Sequence, residues 1–140
     1  MPEDLEKAKQ ILNESSCTCV LCREEVVFQS HQRGVKPLLD WLESGADTWG
    51  CSAADKVVGK GAALLYSLLG VRRVHGNVMS LSAMKTLRKN GIEAYWDILT
   101  ESIQNRPGTG LCPIETATAH IENPEEALPV ILAILESLQK

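Results

Sequence analysis

The stretch Ser52–Gly70 carries charged side chains in a pattern that favours binding of an anion. Its first residues fit the S-x-x-D form of a capping box, which predicts one helix over the whole stretch. Asp55 and Lys56 then lie in the first turn, and Lys60 follows Lys56 at i,i+4 on the same face. Because the N-terminus of a helix attracts negative charge, the pattern predicts a small anionic ligand held by Lys56 and Lys60.

Two glycines, Gly59 and Gly61, fall inside this predicted helix. Each costs about 1 kcal/mol relative to alanine, so we expect a close approach there by backbone or ligand, which adds Gly59 to the ligand-binding set. Asn77 follows His75 near the end of a predicted strand, where ligands of α/β sheets usually bind, and joins the same set. His75 itself is more typical of a packed residue than of a base.

A second cluster begins at Cys112, where Pro113 suits the first position of a helix and Glu115 its third. A thiol at a helix N-terminus is favoured as thiolate, so Cys112 is a candidate nucleophile or metal ligand, with Asp55 and Glu115 as the other catalytic candidates. The alternative is that Cys112 and Glu115 only begin and cap the helix. The turn-rich segment Glu101–Glu115 is the best candidate for a mobile active-site loop.

The five cysteines form an odd set without a disulfide framework, which is typical of a reducing compartment. Cys19 and Cys22 make a C-x-x-C pattern, but they lie in the strand-like run CTCVLC. Side chains alternate along a strand, so the two thiols diverge and are expected to be core residues. We predict no bound metal and no cofactor.

Composition limits the classes of protein and partner. The 140 residues are enough for one domain, taken as 1–140, and 44% of them are hydrophobic. The net charge of −4 with scattered basic residues argues against nucleic acid as partner. The acidic N-terminus is not a signal peptide, and no apolar run is long enough to span a membrane, so we expect a cytoplasmic protein that does not bind membranes.

Hydrophobic periodicity and turn residues predict strands that alternate with helices behind an N-terminal hairpin. The predicted helices are 3–13, 37–44, 52–70, one from Ser80 or Ser82 to Gly91, one from Pro113 and one from Pro124; the predicted strands are 17–22, 26–30, 71–79 and 92–99. This order indicates the α/β class, a three-layer α/β/α sandwich with a mixed sheet.

Four segments together resemble a known family: GVKPLL, ADKVVGKGAA, VHGNVMS and CPIE. The chain is similar, over roughly residues 1 to 122, to small uncharacterised prokaryotic proteins assigned a cytidine-deaminase-like fold. The resemblance implies that fold and no settled activity.

Deaminases of that fold bind zinc through a His or Cys of an H-x-E motif and a P-C-x-x-C pair. If Asp55 takes the carboxylate position, Ala53 takes the ligand position and cannot bind a metal. The next predicted helix starts at 79–82 without a cysteine pair. Since a zinc site needs three protein ligands, ordinary deaminase chemistry is not expected.

Two hypotheses of different class follow. The first is a binding or regulatory protein that holds an anionic small molecule at the start of the central helix, with a nucleotide suggested by analogy only. The second is a hydrolase or transferase that uses Cys112 or Asp55, with or without a metal. A homodimer through apolar helices is compatible with both.

Overall fold

The computed structural model describes residues 3–103 and 112–138, which contain five strands and six helices. The strands are β1 Cys19–Arg23, β2 Val26–Ser30, β3 Ser52–Val58, β4 Arg73–Ser80 and β5 Glu93–Thr100. The helices are α1 Glu3–Glu14, α2 Lys36–Ser44, α3 Lys60–Leu69, α4 Leu81–Lys89, α5 Pro113–Thr118 and α6 Pro124–Leu138.

All five strands belong to one mixed sheet with the order β2-β1-β3-β4-β5. The β1–β2 hairpin is antiparallel, and β1 is also antiparallel to β3. The crossovers through α3 and α4 make β3, β4 and β5 parallel. The predicted mixed sheet with an N-terminal hairpin is therefore confirmed.

Helices cover both faces of the sheet. Helix α1 packs on one face, where its Ala8 and Leu12 join Val20 and Ala54. Helices α2, α3 and α4 pack on the other face over the larger core, and α5 and α6 pack against α3. The predicted three-layer α/β/α arrangement is confirmed.

Capping and turn residues predicted the bounds of most helices and strands to within a few residues. Gly45 and Gly70 end α2 and α3 in the left-handed conformation, with φ of 70° and 73°. The Ser80 side chain accepts a hydrogen bond from the Ala83 N–H and caps α4. The cysteines of β1 diverge as predicted, because Cys19 joins the α3 side of the sheet and Cys22 the α1 side.

The predicted helix over Ser52–Gly70 is wrong in its first half. Residues Ser52–Val58 form β3, the central strand, and α3 begins only at Lys60. The capping box therefore does not form. Pairing with β1 on one side and β4 on the other satisfies the backbone of this segment, and that tertiary pairing outweighs the local capping signal.

Three observations concern the C-terminal part and the helices as a whole. Leu132 and Leu138 of α6 are exposed. The turn residues Arg106–Gly110 of the expected mobile loop lie outside the described residues. None of the described helices has the length and apolar character needed to cross a membrane.

Candidate functional site

The Glu115 carboxylate lies at the edge of the sheet where α3 and α4 begin. Its Oε1 accepts hydrogen bonds from the backbone N–H of Lys60 and from the Ser80 hydroxyl, the latter at 3.2 Å. Its Oε2 accepts a bond from the Ser82 hydroxyl at 3.4 Å. A helix N-terminus leaves N–H groups without intrahelical partners, and here a side chain from α5 supplies one.

Gly59 and Gly61 allow α5 to approach α3. A Cβ at Gly59 would overlap the Glu115 carboxylate, and a Cβ at Gly61 would overlap the side chain of Ile114. Gly59 is in an extended conformation that any residue adopts, so space is the reason for glycine there. The approach at both glycines is made by side chains of α5, whereas the prediction was backbone or a ligand.

Lys60 directs its side chain to the other end of α5. The residue is only 5% exposed, and its Nζ donates to the Ala119 carbonyl at 2.8 Å. A longer contact of 3.6 Å joins Nζ to the carboxylate of Glu122. This ammonium is thus already engaged at the C-terminal end of α5, where a helix favours a cation.

Asp55 lies beneath α3 and shares its surroundings with two other titratable groups. The Tyr66 hydroxyl donates to Asp55 Oδ2 at 2.7 Å, and Cys19 Sγ is 3.1 Å from the same hydroxyl. Burial raises the pKa of Asp55 to about 7, and the bond from Tyr66 opposes that rise. Burial also raises the pKa values of Tyr66 and Cys19. This carboxyl belongs to a buried cluster between β1, β3 and α3.

Within the described part of the chain, the side chains of Lys56 and Asn77 are not among the groups that contact the Asp55 carboxyl group. Asp55 faces α3 and is paired with Gly76 of β4. Lys56 of β3 is exposed and Asn77 of β4 is half-buried. The prediction that Lys56 and Lys60 share one helix face is wrong, because Lys56 belongs to β3 and Lys60 to α3.

Cys112 occupies the predicted N-cap position of α5, with Pro113 next to it. Its thiol is half-buried and makes no side-chain capping bond, while its carbonyl accepts from Thr116. Among the hydrogen bonds of residues 3–103 and 112–138, none joins Cys112 to Asp55 or to Glu115. The three predicted catalytic residues therefore occupy separate surroundings.

The described residues contain no group of three or more His, Cys, Asp and Glu side chains placed to hold a metal ion. The alignment that put Asp55 in an H-x-E motif assumed a helix starting at Ser52, and β3 makes that alignment wrong. The first turns of the helices that do follow the hairpin and strands read KPLL, KGAA and LSAM in α2, α3 and α4. None of these turns offers a His or Cys ligand.

A family model for a domain of unknown function, DUF1893 (TM1506), matches residues 7–135. The chain belongs to the DUF1893 family. This confirms the resemblance to a small uncharacterised family. No curated protein matches the chain.

A crystal structure of a DUF1893 protein from Thermotoga maritima has a TM-score of 0.85 and 24% identity, and the match covers 95% of this chain and 91% of that one. Two deaminases are more distant. A dCMP deaminase from the cyanophage S-TIM5 gives a TM-score of 0.45 and 12% identity over 66% of this chain and 93% of its own. A diaminohydroxyphosphoribosylaminopyrimidine deaminase and reductase from Thermotoga maritima gives a TM-score of 0.44 and 10% identity. That match covers 82% of this chain and 40% of the other. The Thermotoga maritima DUF1893 structure shows that this chain shares its fold with that protein, and none of the three similarities concerns activity.

Ser80, Ser82 and Tyr66 contact these carboxylates but were not predicted as site residues. The two serines were singled out only as alternative caps for α4, and Ser80 serves as that cap while also contacting Glu115. The signal for Tyr66 is that a buried tyrosine hydroxyl usually has a hydrogen-bond partner. A buried tyrosine on α3, one strand-to-helix connection after Asp55, is a natural donor to that carboxylate.

Proposed function

We propose that this DUF1893 protein binds a small carboxylate- or phosphate-bearing molecule at the junction of α3 and α4, in exchange for its own Glu115 carboxylate. The observation that carries the proposal is the set of donors around Glu115: the Lys60 N–H and the Ser80 and Ser82 hydroxyls. This set is suited to any carboxylate or phosphate oxygen, because all three groups donate to a common anion.

The arrangement supports a binding or regulatory role. The donors bind negative charge, and the Lys60 ammonium is engaged by Ala119 and Glu122. A ligand that replaces Glu115 frees the start of α5 from α3, so binding is coupled to the packing of α5. A nucleotide is one anion of this class, and its proposal rests on the analogy of fold alone.

The test removes the internal anion in two ways. Glu115→Ala empties the donor set, whereas Glu115→Gln fills it with a neutral group of the same shape. We expect acetate and inorganic phosphate to raise the melting temperature of Glu115→Ala in a saturable manner, because a ligand that binds only the folded state stabilises it. The Glu115→Gln variant is expected to show no such rise.

A matched control is Glu126→Ala, which removes an exposed carboxylate from the first turn of α6. Adding Ser82→Ala to Glu115→Ala is expected to weaken the acetate effect, since one donor is lost. If acetate and phosphate stabilise Glu115→Ala no more than they stabilise the Glu126→Ala control, the proposal is wrong and Glu115 is only a structural capping residue.

The Cys112→Ala variant distinguishes the hydrolase or transferase hypothesis from the anion-binding proposal. The Cys112 thiol is not among the groups that contact Glu115, so anion binding in the Glu115→Ala background is expected to survive this change. Loss of binding in Cys112→Ala would contradict the proposal and favour a role for the thiol.

A further inference from the structure

Trp49 is an exposed tryptophan held on a well-bonded loop. The residue is 75% exposed and lies between α2 and β3. Arg23 donates to the Asp47 carbonyl at 3.1 Å and to the carbonyl of Trp49. The Gly50 N–H donates to the Gly70 carbonyl at 2.8 Å. A large aromatic side chain so exposed is unusual, and a fixed one costs little entropy to bury in a complex.

The indole itself rests on α3. A Cβ at Gly70 would lie 3.0 Å from the Cδ1 atom of Trp49, so the indole packs over the glycine that ends the helix. The Thr48 hydroxyl donates to the Leu69 carbonyl at 2.7 Å and ties the same loop to the same helix end. The indole is therefore presented outward from a rigid base.

A hollow lies on each side of this indole. One, of about 500 Å³, is lined by the arginines Arg23, Arg72 and Arg73 together with Asp4 and Glu24. The other, of about 320 Å³, is lined by Trp41, Leu42 and Leu68 together with Asp47 and Thr48. Trp49 contributes to both. Tryptophan and arginine are the residue types most enriched at the energetic centres of protein interfaces.

We propose that this surface, which we call the Trp49 face, binds a second copy of the chain about a two-fold axis. A two-fold interface brings the same patch of both copies together, so the patch must complement itself. The Trp49 face has a protruding indole beside hollows that can receive one. It also has both signs of charge, since exposed Arg72 and exposed Glu24 line the same hollow. One axis through this face buries both indoles.

The first experiment is sedimentation equilibrium of the full chain over a wide range of concentration. We expect the wild-type protein to dimerise, and Trp49→Ala to raise the dissociation constant about 100-fold or more, because each dimer loses two central indoles. Arg72→Glu, a change at an exposed side chain, is expected to weaken the dimer and to make its salt dependence smaller. Circular dichroism checks that both variants remain folded.

The matched control is Leu132→Ala, which removes another exposed apolar side chain, 49% exposed, from α6. This variant is expected to dimerise as the wild type does. A monomeric wild type at every concentration overturns the proposal. So does a dimer that survives Trp49→Ala, and a dimer that is lost in Leu132→Ala assigns the contact to α6 instead.

Discussion

Asp55 and Glu115 both accept hydrogen bonds from α3, yet their carboxyl groups lie in opposite kinds of environment. Glu115 sits at the first N–H of the helix and accepts bonds from Lys60, Ser80 and Ser82. Asp55 lies under the body of the helix, where burial raises its pKa to about 7 and Tyr66 is its side-chain donor across the sheet–helix interface. A carboxylate at a helix N-terminus is stabilised as an anion, whereas one enclosed between a sheet and a helix is stabilised as the neutral acid.

The Glu115 region offers donors that suit an external anion. The Asp55 region is closed by Tyr66 and Cys19. The hydrogen bond from the Tyr66 hydroxyl to the Asp55 carboxyl group joins α3 to the sheet. Substitutions in the Asp55 region should therefore change how stability depends on pH. Substitutions in the Glu115 region should change how stability depends on added anions.

The largest expected effect is the pH dependence that Asp55 adds to stability. Folded Asp55 keeps its proton up to a pKa of about 7, whereas the unfolded residue ionises near 3.8. Its stabilising contribution is thus complete below pH 4 and is lost as the pH rises to about 7. Relative to Asp55→Asn, wild-type stability should fall over this range by about 4 kcal/mol at most.

Urea unfolding of the wild type and Asp55→Asn from acidic to neutral pH measures this difference. Glu126→Gln, at an exposed carboxyl group, is the control and should follow the wild type. A difference between Asp55→Asn and the wild type that stays constant with pH would show that the Asp55 carboxyl titrates at its ordinary pKa.

Next in size is the coupling between Gly59 and Glu115. Every atom that a Cβ at Gly59 would meet first belongs to Glu115, so Gly59→Ala should displace the carboxylate and cost about 2 to 3 kcal/mol. In a Glu115→Ala background the same change should cost about 1 kcal/mol or less, the usual difference between glycine and alanine at an N-cap.

A double-mutant cycle of urea unfolding free energies measures this coupling. If the free-energy costs of Gly59→Ala and Glu115→Ala simply add, α5 does not bring Glu115 against Gly59.

The smallest expected effect separates the two serine donors of Glu115. Ser80→Ala should cost about 1 to 2 kcal/mol, because Ser80 both caps α4 and donates to Glu115. Ser82→Ala should cost about 0.5 kcal/mol, since it removes one longer hydrogen bond. Thermal or urea unfolding orders the two. Equal losses would mean that the N-cap contribution of Ser80 is negligible.

By itself the sequence determined the order of most elements, the hairpin, the glycine ends of α2 and α3 and the start of α5 at Cys112. It also carried the family resemblance and the crowding at Gly59 and Gly61. These features depend on residues that are close together in the chain, such as a cap and the turn that it closes, or on the absence of a side chain where packing is tight.

Tertiary structure alone decided that Ser52–Val58 is a strand, that Asp55 meets Tyr66, and that Glu115 fills the start of α3. Capping signals in Ser52 and Asp55 were locally valid, but the segment lies at the centre of the sheet between two partner strands. Glu115 is 55 residues from Lys60 along the chain. Contacts of that separation depend on the packing of α5 against α3, which no local pattern encodes.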